Sequence, residues 1–303
     1  MRQKTILCIL IGCLLAMNNL LAGNPVKQVV REIDSLLSDN KAQVGVAVLT
    51  DDGQRILVNN DARYPLMSVF KIPVALAVLH KLDREHISPD QIIPIKAAQL
   101  LPNTYSPLRD KFPNQDISIS FRDLLKYSIT LSDNNACDIL IDYAGGIAEV
   151  DKYLKTLGVK DISLSATEAQ MHEDNKRPDA NWGTPSAMTD LLKLFHDKDL
   201  FARPYKDFLW NTLIETSTGK DKLKGLLPEE VVVGHKTGSS NRTKEGIKIG
   251  DNDAGFVCLP DGTIYYIAVF VMNSQETDKT NASIIAQISK IVYEYMLIHN
   301  IKH

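Results

Sequence analysis

The sequence predicts a mixed α/β (α+β) fold: one antiparallel sheet flanked by helices, with an all-helical region inserted between the strands of its two ends. Apolar runs of strand length cluster near both ends of the chain, QVGVAVLT (43 to 50) and RILVNN on one side, VVVGHKTG, AGFVCLP and TIYYIAVFVM on the other. Asp52-Gly53 and Asp261-Gly262 supply the tight turns that fold such runs into hairpins. Between them, residues 63 to 215 show helical periodicity and little strand signal. The expected organisation is a leader over 1–23, a discontinuous α/β domain from 24–62 and 216–303, and a helical domain over 63–215, with a cleft between the two bodies.

The leader reads MRQKTILCILIGCLLAMNNLLAG: Arg2 and Lys4, an apolar run from Ile6 to Met17, then small residues at Ala22 and Gly23. That is the pattern of a secretory signal peptide, too short to span a bilayer, and it implies a periplasmic or secreted mature chain. Leu10-Ile11-Gly12-Cys13 has the look of a lipoprotein cleavage box, an alternative weakened by the apolar stretch that follows. Asn24-Pro25 then reads as a helix cap and first turn. Val26, Val29, Val30, Ile33, Leu36 and Leu37 follow at helical spacing, and a closing helix from about Ala282 to His299 repeats the pattern.

The 303 residues are 44% apolar and 23% charged with a net charge of -3, which suits an ordinary globular protein and argues against a nucleic-acid partner. A monomer without a stable membrane partner is the expectation. No cofactor or metal is implied, because the seven histidines are scattered without ligand spacing. Cys137 and Cys258, the two cysteines beyond the leader, read as free thiols.

Three short motifs carry chemistry. In Ser68-Val69-Phe70-Lys71, residues i and i+3 share a helix face, so a hydroxyl and an amine meet, and a lysine held out of water can activate the hydroxyl. The pattern alone is weak, since Ser38-Asp39-Asn40-Lys41 and Ser217-Thr218-Gly219-Lys220 also fit it. Only Ser68 opens an apolar helix, and its bland alternative is an N-capping serine. Ser132-Asp133-Asn134 offers a hydroxyl to relay a proton and a carboxamide to hold a substrate amide, Asp133 bracing the turn. Read alone, it is an Asx turn or helix cap. Lys236-Thr237-Gly238 puts a cation, a hydroxyl and a small residue on a strand, where an anionic group could meet the lysine.

The order of the three, with no competing set, resembles the class A serine β-lactamases and the penicillin-binding proteins. With YSPLRDKFP, SDNNACD and EAQMH, the chain is most similar to the extended-spectrum cephalosporinase subgroup of class A. The resemblance implies the serine β-lactamase/penicillin-binding-protein-like fold, β-lactam substrates, and a periplasmic hydrolase. It implies Ser68 as nucleophile, Lys71 as its base, alone or with Glu168 through water, and Ser132 as proton relay. Glu168 is the implied activator of the deacylating water. Substrate would be held by Asn134, Lys236, Thr237, the Ser239 N–H, His172 and, at the cleft mouth, Tyr105, with Lys222 or Arg242 as a further cation. His172 stands where the family has an asparagine, Ala166 where many members have an arginine, and Asp138 where many have an asparagine. Those departures imply an altered, roomier loop around Glu168. A penicillin-binding peptidase and a β-lactam sensor are the rival readings.

Overall fold

The computed structural model describes residues 25–173 and 180–299. The leader, Cys13, the Asn24 cap and the last four residues lie outside them. The first helix, α1 (Pro25–Leu37), is followed by the hairpin β1 (Gln43–Thr50) and β2 (Arg55–Val58), then by the two-residue β3 (Tyr64–Pro65). A 310 turn over Met67–Phe70 leads into α2 (Lys71–Arg84). The middle of the chain holds β4 (Ile92–Ile95), α3 (Pro107–Lys111), β5 (Ile117–Ser120), α4 (Phe121–Thr130), α5 (Asn134–Ala144) and α6 (Ile147–Thr156). It continues through β6 (Ile162–Ser163), α7 (Glu168–Glu173), β7 (Trp182–Gly183), α8 (Pro185–Asp197) and α9 (Arg203–Ile214). The last part is β8 (Val233–Ser239), β9 (Lys248–Cys258), β10 (Ile264–Ser274) and α10 (Asp278–His299).

Strands from the two ends of the chain form one five-stranded antiparallel sheet in the order β2-β1-β10-β9-β8, with β1 and β10 aligned from Gln43↔Met272 to Thr50↔Tyr265. Both Asp-Gly turns are in place: Gly53 and Gly262 take φ of 90° and 85°, which a side chain resists. Strand β1 is buried on both faces, which is why it reads as an unbroken apolar run rather than an alternation. One face carries Val44, Val46, Val269 and Val271 against Ile33 of α1 and Ile285, Ile288 and Val292 of α10. The other carries Phe256, Tyr266, Ala268 and Phe270 against Met188, Leu191 and Phe195 of α8 and onward to the helical body.

Helix α2 is apolar nearly all round, and Ile72, Val74, Leu76, Val78, Leu79 and Leu82 are buried, so it forms the axis of that body. The middle is not purely helical: β4 pairs with β5, and β7 pairs with both β3 and β6. Strands of two to four residues are too short to show a period, which is why the sequence does not announce them.

The seam between sheet and helical body is set by a close approach. Strand β8, the sheet edge, lies against the 310 turn, and a Cβ on Gly238 would fall 2.7 Å from the Leu66 carbonyl oxygen and 2.9 Å from the Ser68 nitrogen. Asn252 on β9 fastens the same segment, its buried carboxamide donating to the carbonyls of Pro65 (2.7 Å) and Leu66 (3.2 Å) and accepting from Val271 N–H (3.1 Å). Asn252→Ala leaves these buried groups unpaired and is expected to lower unfolding stability by about 2–4 kcal/mol. Urea unfolding checks it, and a loss below about 1 kcal/mol contradicts the staple.

Candidate active site

Ser68 occupies the 310 turn, one residue after Met67, whose φ of 47° is unusual for a side-chain-bearing residue. The α-helix proper starts at Lys71, and neither Leu66 nor Phe70 caps with a side chain. Ser68 is therefore not an N-cap, and its hydroxyl is left to the cleft. The two look-alike serines are exposed and bonded locally, Ser38 to the Ser35 carbonyl (3.0 Å) and Ser217 to that of Thr130 (3.0 Å).

Lys71 is fully buried and its Nζ is the hub of the site. It stands 3.2 Å from Ser68 Oγ, 2.9 Å from Glu168 Oε1, 2.7 Å from Asn134 Oδ1, and 2.8 and 3.4 Å from the carbonyl and hydroxyl oxygens of Ser132. Five oxygens thus compete for three N–H donors, so the amine can exchange hydrogen-bond partners with small displacements. Glu168 Oε1 is also 3.4 Å from Ser68 Oγ, which puts a carboxylate beside the candidate nucleophile.

Ser132 sits at φ 59° at the end of α4, and the carboxylate of Asp133 holds the turn. Buried Asp133 accepts from Ser106 Oγ (2.9 Å), Leu108 N–H (2.7 Å) and Ala136 N–H (2.8 Å), so it caps α5 and ties it to α3. Asn134 donates one N–H to Thr104 Oγ1 (2.8 Å) and its Oδ1 accepts a hydrogen bond from Lys71, which leaves one N–H and one lone pair for a ligand. The exposed Tyr105 is joined to this turn through its carbonyl, which accepts Asn134 N–H at 3.0 Å.

Lys236, also fully buried, donates to Ser132 Oγ (2.9 Å) and to the Thr237 carbonyl (2.8 Å). Burial and, after it, the nearby Lys71 charge push its amine well below the usual lysine range, while Glu168 and Asp253 pull the other way. Thr237 shares a hydrogen bond with Thr218 (2.7 Å). Ser240 N–H bonds Gly250 across the ladder, so by alternation the N–H of exposed Ser239 points away from β9, on the side where Gly238 meets Ser68. Neither further cation is unpaired: Lys222 is buried on Asp251 (2.6 Å), and Arg242 is held by Asp278 and by the carbonyls of Gly246 and Glu276. His172 is exposed on α7. Among the described residues no cluster of His, Cys, Asp and Glu has a metal-binding arrangement, and Cys137 and Cys258 are free thiols.

The loop that carries Glu168 is braced by residues whose roles the sequence does not show. The Asn181 carboxamide accepts from Ser165 and Ala166 N–H (2.9 and 3.1 Å) and donates to the Ala166 carbonyl (2.8 Å), which substitutes for an arginine at 166. Asp138 accepts the Glu168 and Ala169 N–H groups, each at 2.8 Å, and so caps the start of α7 with both oxygens. Asn181, Thr104, Thr218 and Asn252 are polar residues in ordinary surroundings, and only folding shows what they hold.

A cleft of this make-up, with a serine, a buried lysine and a carboxylate at the seam of sheet and helical body, brings together the group types that hydrolases use. The model of the "Beta-lactamase enzyme family" matches residues 28–296, so the chain belongs to the β-lactamases, hydrolases of the β-lactam ring. It is 55% identical over 272 residues to a β-lactamase of Bacteroides uniformis, covering 89% of this chain and 92% of that one. It is 38% identical over 267 residues to the extended-spectrum β-lactamase PER-1 of Pseudomonas aeruginosa, covering 88% and 86%. The crystal structure of a class A β-lactamase from Bacteroides cellulosilyticus superposes with a TM-score of 0.89 at 59% identity, covering 90% of this chain and 99% of that one.

Burial raises the Asp138 carboxyl to about 6, against the opposing pull of its two backbone N–H donors. A folded value above the unfolded one means that the proton favours the folded state, so the contribution is full below about pH 4 and lost as pH rises through 6. Asparagine does not titrate, so the stability of the native chain relative to Asp138→Asn is expected to grow as pH falls from 7 to 4.5. Paired urea titrations measure this; a flat or inverted difference contradicts the assignment.

Proposed function

We propose that the chain opens β-lactams, oxyimino-cephalosporins among them, through a covalent acyl-enzyme on Ser68. The observation that carries this reading is the placement of Lys71 Nζ between Ser68 Oγ (3.2 Å) and Glu168 Oε1 (2.9 Å), with the carboxylate 3.4 Å from the serine. The Ser68 hydroxyl attacks the lactam carbonyl while its proton passes to Lys71, or to Glu168 through water. The carbonyl oxygen, now negative, takes hydrogen bonds from the N–H groups of Ser68 and Ser239, which lie on the two sides of the Gly238 contact. Ser132, linked to both lysines, passes a proton to the departing nitrogen. Lys236, Thr237 and Thr218 bind the substrate carboxylate, and Asn134 the side-chain amide, with Tyr105 at the mouth. Thr218 takes the place of a second cation because Lys222 and Arg242 are already paired.

Glu168 then draws a proton from water, and the hydroxide releases the acyl group. This carboxylate favours a hydrolase over a penicillin-binding peptidase, whose acyl-enzyme has no such neighbour. The N-terminal leader supports export to the periplasm and a role in β-lactam resistance. The cephalosporin preference rests on the loop bracing by Asp138 and Asn181 and on kinship with an enzyme named extended-spectrum.

Glu168→Gln is expected to acylate and stall, leaving an adduct on Ser68 visible by intact mass spectrometry, whereas Ser68→Ala forms none. Product release by the glutamine variant at the native rate removes Glu168 from deacylation. On the native enzyme, kcat/KM for an oxyimino-cephalosporin is expected within about tenfold of that for benzylpenicillin, a gap of about 1.4 kcal/mol. A thousandfold preference for the penicillin marks a narrow penicillinase instead.

A further inference from the structure

Tyr105 at the cleft mouth belongs to a short irregular segment, 101 to 105, between a second 310 turn over Ala97–Gln99 and α3. Packing does little to shape it. Leu101 and Tyr105 are exposed, and an open hollow of about 580 Å³, bordered by Leu100, Pro102, Arg109 and Pro113, runs along the segment. Its course has to come from hydrogen bonds.

Both ends of the segment are tied to the start of α5. The buried Asn135 carboxamide accepts the Leu101 N–H (3.0 Å) and donates to the Leu101 carbonyl (3.1 Å), while the Asn134 N–H donates to the Tyr105 carbonyl (3.0 Å). Between these points one side chain gathers the backbone. Arg109 Nη1 stands 2.9 Å from the Leu101 carbonyl oxygen and 2.7 Å from those of Pro102 and Thr104, reaching back five to eight residues from α3. Three carbonyl oxygens turned to one point repel each other unless a cation stands between them, so the shape of the loop depends on this guanidinium. Arg109 is itself anchored. Its Nε and Nη2 donate to the exposed Asp110 carboxylate (3.0 and 2.6 Å), and its N–H donates to Ser106 Oγ (3.1 Å), which in turn donates to Asp133.

What the loop delivers is the Thr104 hydroxyl. Thr104 Oγ1 accepts an N–H of the Asn134 carboxamide at 2.8 Å, while Asn134 Oδ1 accepts from Lys71 at 2.7 Å. Together the two contacts set which way the carboxamide faces, nitrogen to the loop and oxygen to the lysine. Release of the Thr104 carbonyl lets its hydroxyl drift, and the Asn134 amide then loses an acceptor that orients it. Direct contacts therefore lead from Arg109 through Thr104 to Asn134, and Tyr105 shares the same backbone.

We propose that Arg109 is a positioning residue for the acylamido side chain of the substrate: by gathering three carbonyls it holds Thr104 on Asn134 and Tyr105 at the mouth, without touching the substrate itself. This rests on the reading of Asn134 and Tyr105 above. The lactam ring and its carboxylate, met by Ser68, Lys236 and Thr237, make no use of this loop.

Paired kinetics on benzylpenicillin and on 6-aminopenicillanic acid, the same ring system without the acylamido group, test the proposal. Arg109→Ala is expected to lower kcat/KM for benzylpenicillin about tenfold, mostly through KM, and that for the bare nucleus by less than about twofold. A merely structural role would lower both alike. Arg109→Lys keeps a cation with three donors and is expected to recover most of the loss, whereas Asp110→Asn leaves both substrates unchanged. Equal losses on the two substrates in Arg109→Ala, no loss at all, no recovery with lysine, or an Asp110→Asn variant as impaired as Arg109→Ala overturns the proposal. Asn134→Ala tests the earlier reading separately: equal losses on both substrates there remove Asn134 from amide recognition, while a selective loss in Arg109→Ala still upholds the loop's role through Tyr105. Should Arg109→Ala not fold, Thr104→Val decides, because it cuts the next contact and leaves the carbonyls tied: the same selective rise in KM supports the proposal, and its absence overturns it.

Discussion

A fully buried ammonium is the constraint on which the rest of this structure depends. Lys71 has no access to water, so every proton it carries must find a protein oxygen, and an unmatched charge there would be strongly destabilising. The oxygens come from three separate pieces of chain: the 310 turn with Ser68, the turn between α4 and α5 with Ser132 and Asn134, and α7 with Glu168. Each piece is held by its own device. The first is stapled by Asn252, the second capped by Asp133, and the third capped by Asp138. Met67 and Ser132, both at positive φ, mark where the backbone bends into sparsely populated conformations to deliver these groups.

The same logic explains the edge strand. Strand β8 has one ladder partner, so its other side is open to the cleft, and it brings Lys236 to the very hydroxyl that Lys71 also touches. Burial and the Lys71 charge beside it disfavour the Lys236 ammonium, and Glu168 and Asp253 offset part of this. The approach is possible only because residue 238 has no side chain. Chemistry, packing and electrostatics at the seam are therefore one arrangement, and the loss of any brace is felt at the lysines.

The loop around Glu168 shows how a brace can be exchanged. With alanine at 166, no guanidinium is available, and a neutral carboxamide at Asn181 fastens the backbone there on both its donor and acceptor sides. An aspartate at 138 brings two acceptors where an asparagine has one, and both are used by N–H groups at the start of α7. The cost is a carboxylate kept mostly out of water, which accounts for its raised titration.

Much was legible in the chain itself because it is governed by local rules. The two Asp-Gly turns, the apolar strands at both ends, the buried helix after SVFK and the ordered trio of SVFK, SDN and KTG all depend on residues close in sequence, and the spacing of Ser68 and Lys71 already places them on one face. The short strands β3 to β7 were not legible, since so few residues show no period. Nor was Ser68's place in a 310 turn rather than at a helix cap, the pairing that occupies Lys222 and Arg242, or the burial of Asp253 on His235. The pairings join residues 18 to 36 positions apart, beyond the reach of local periodicity. Local sequence determined which groups could react; only the tertiary fold decided which of them share a proton, because charge and burial are properties of neighbours in space.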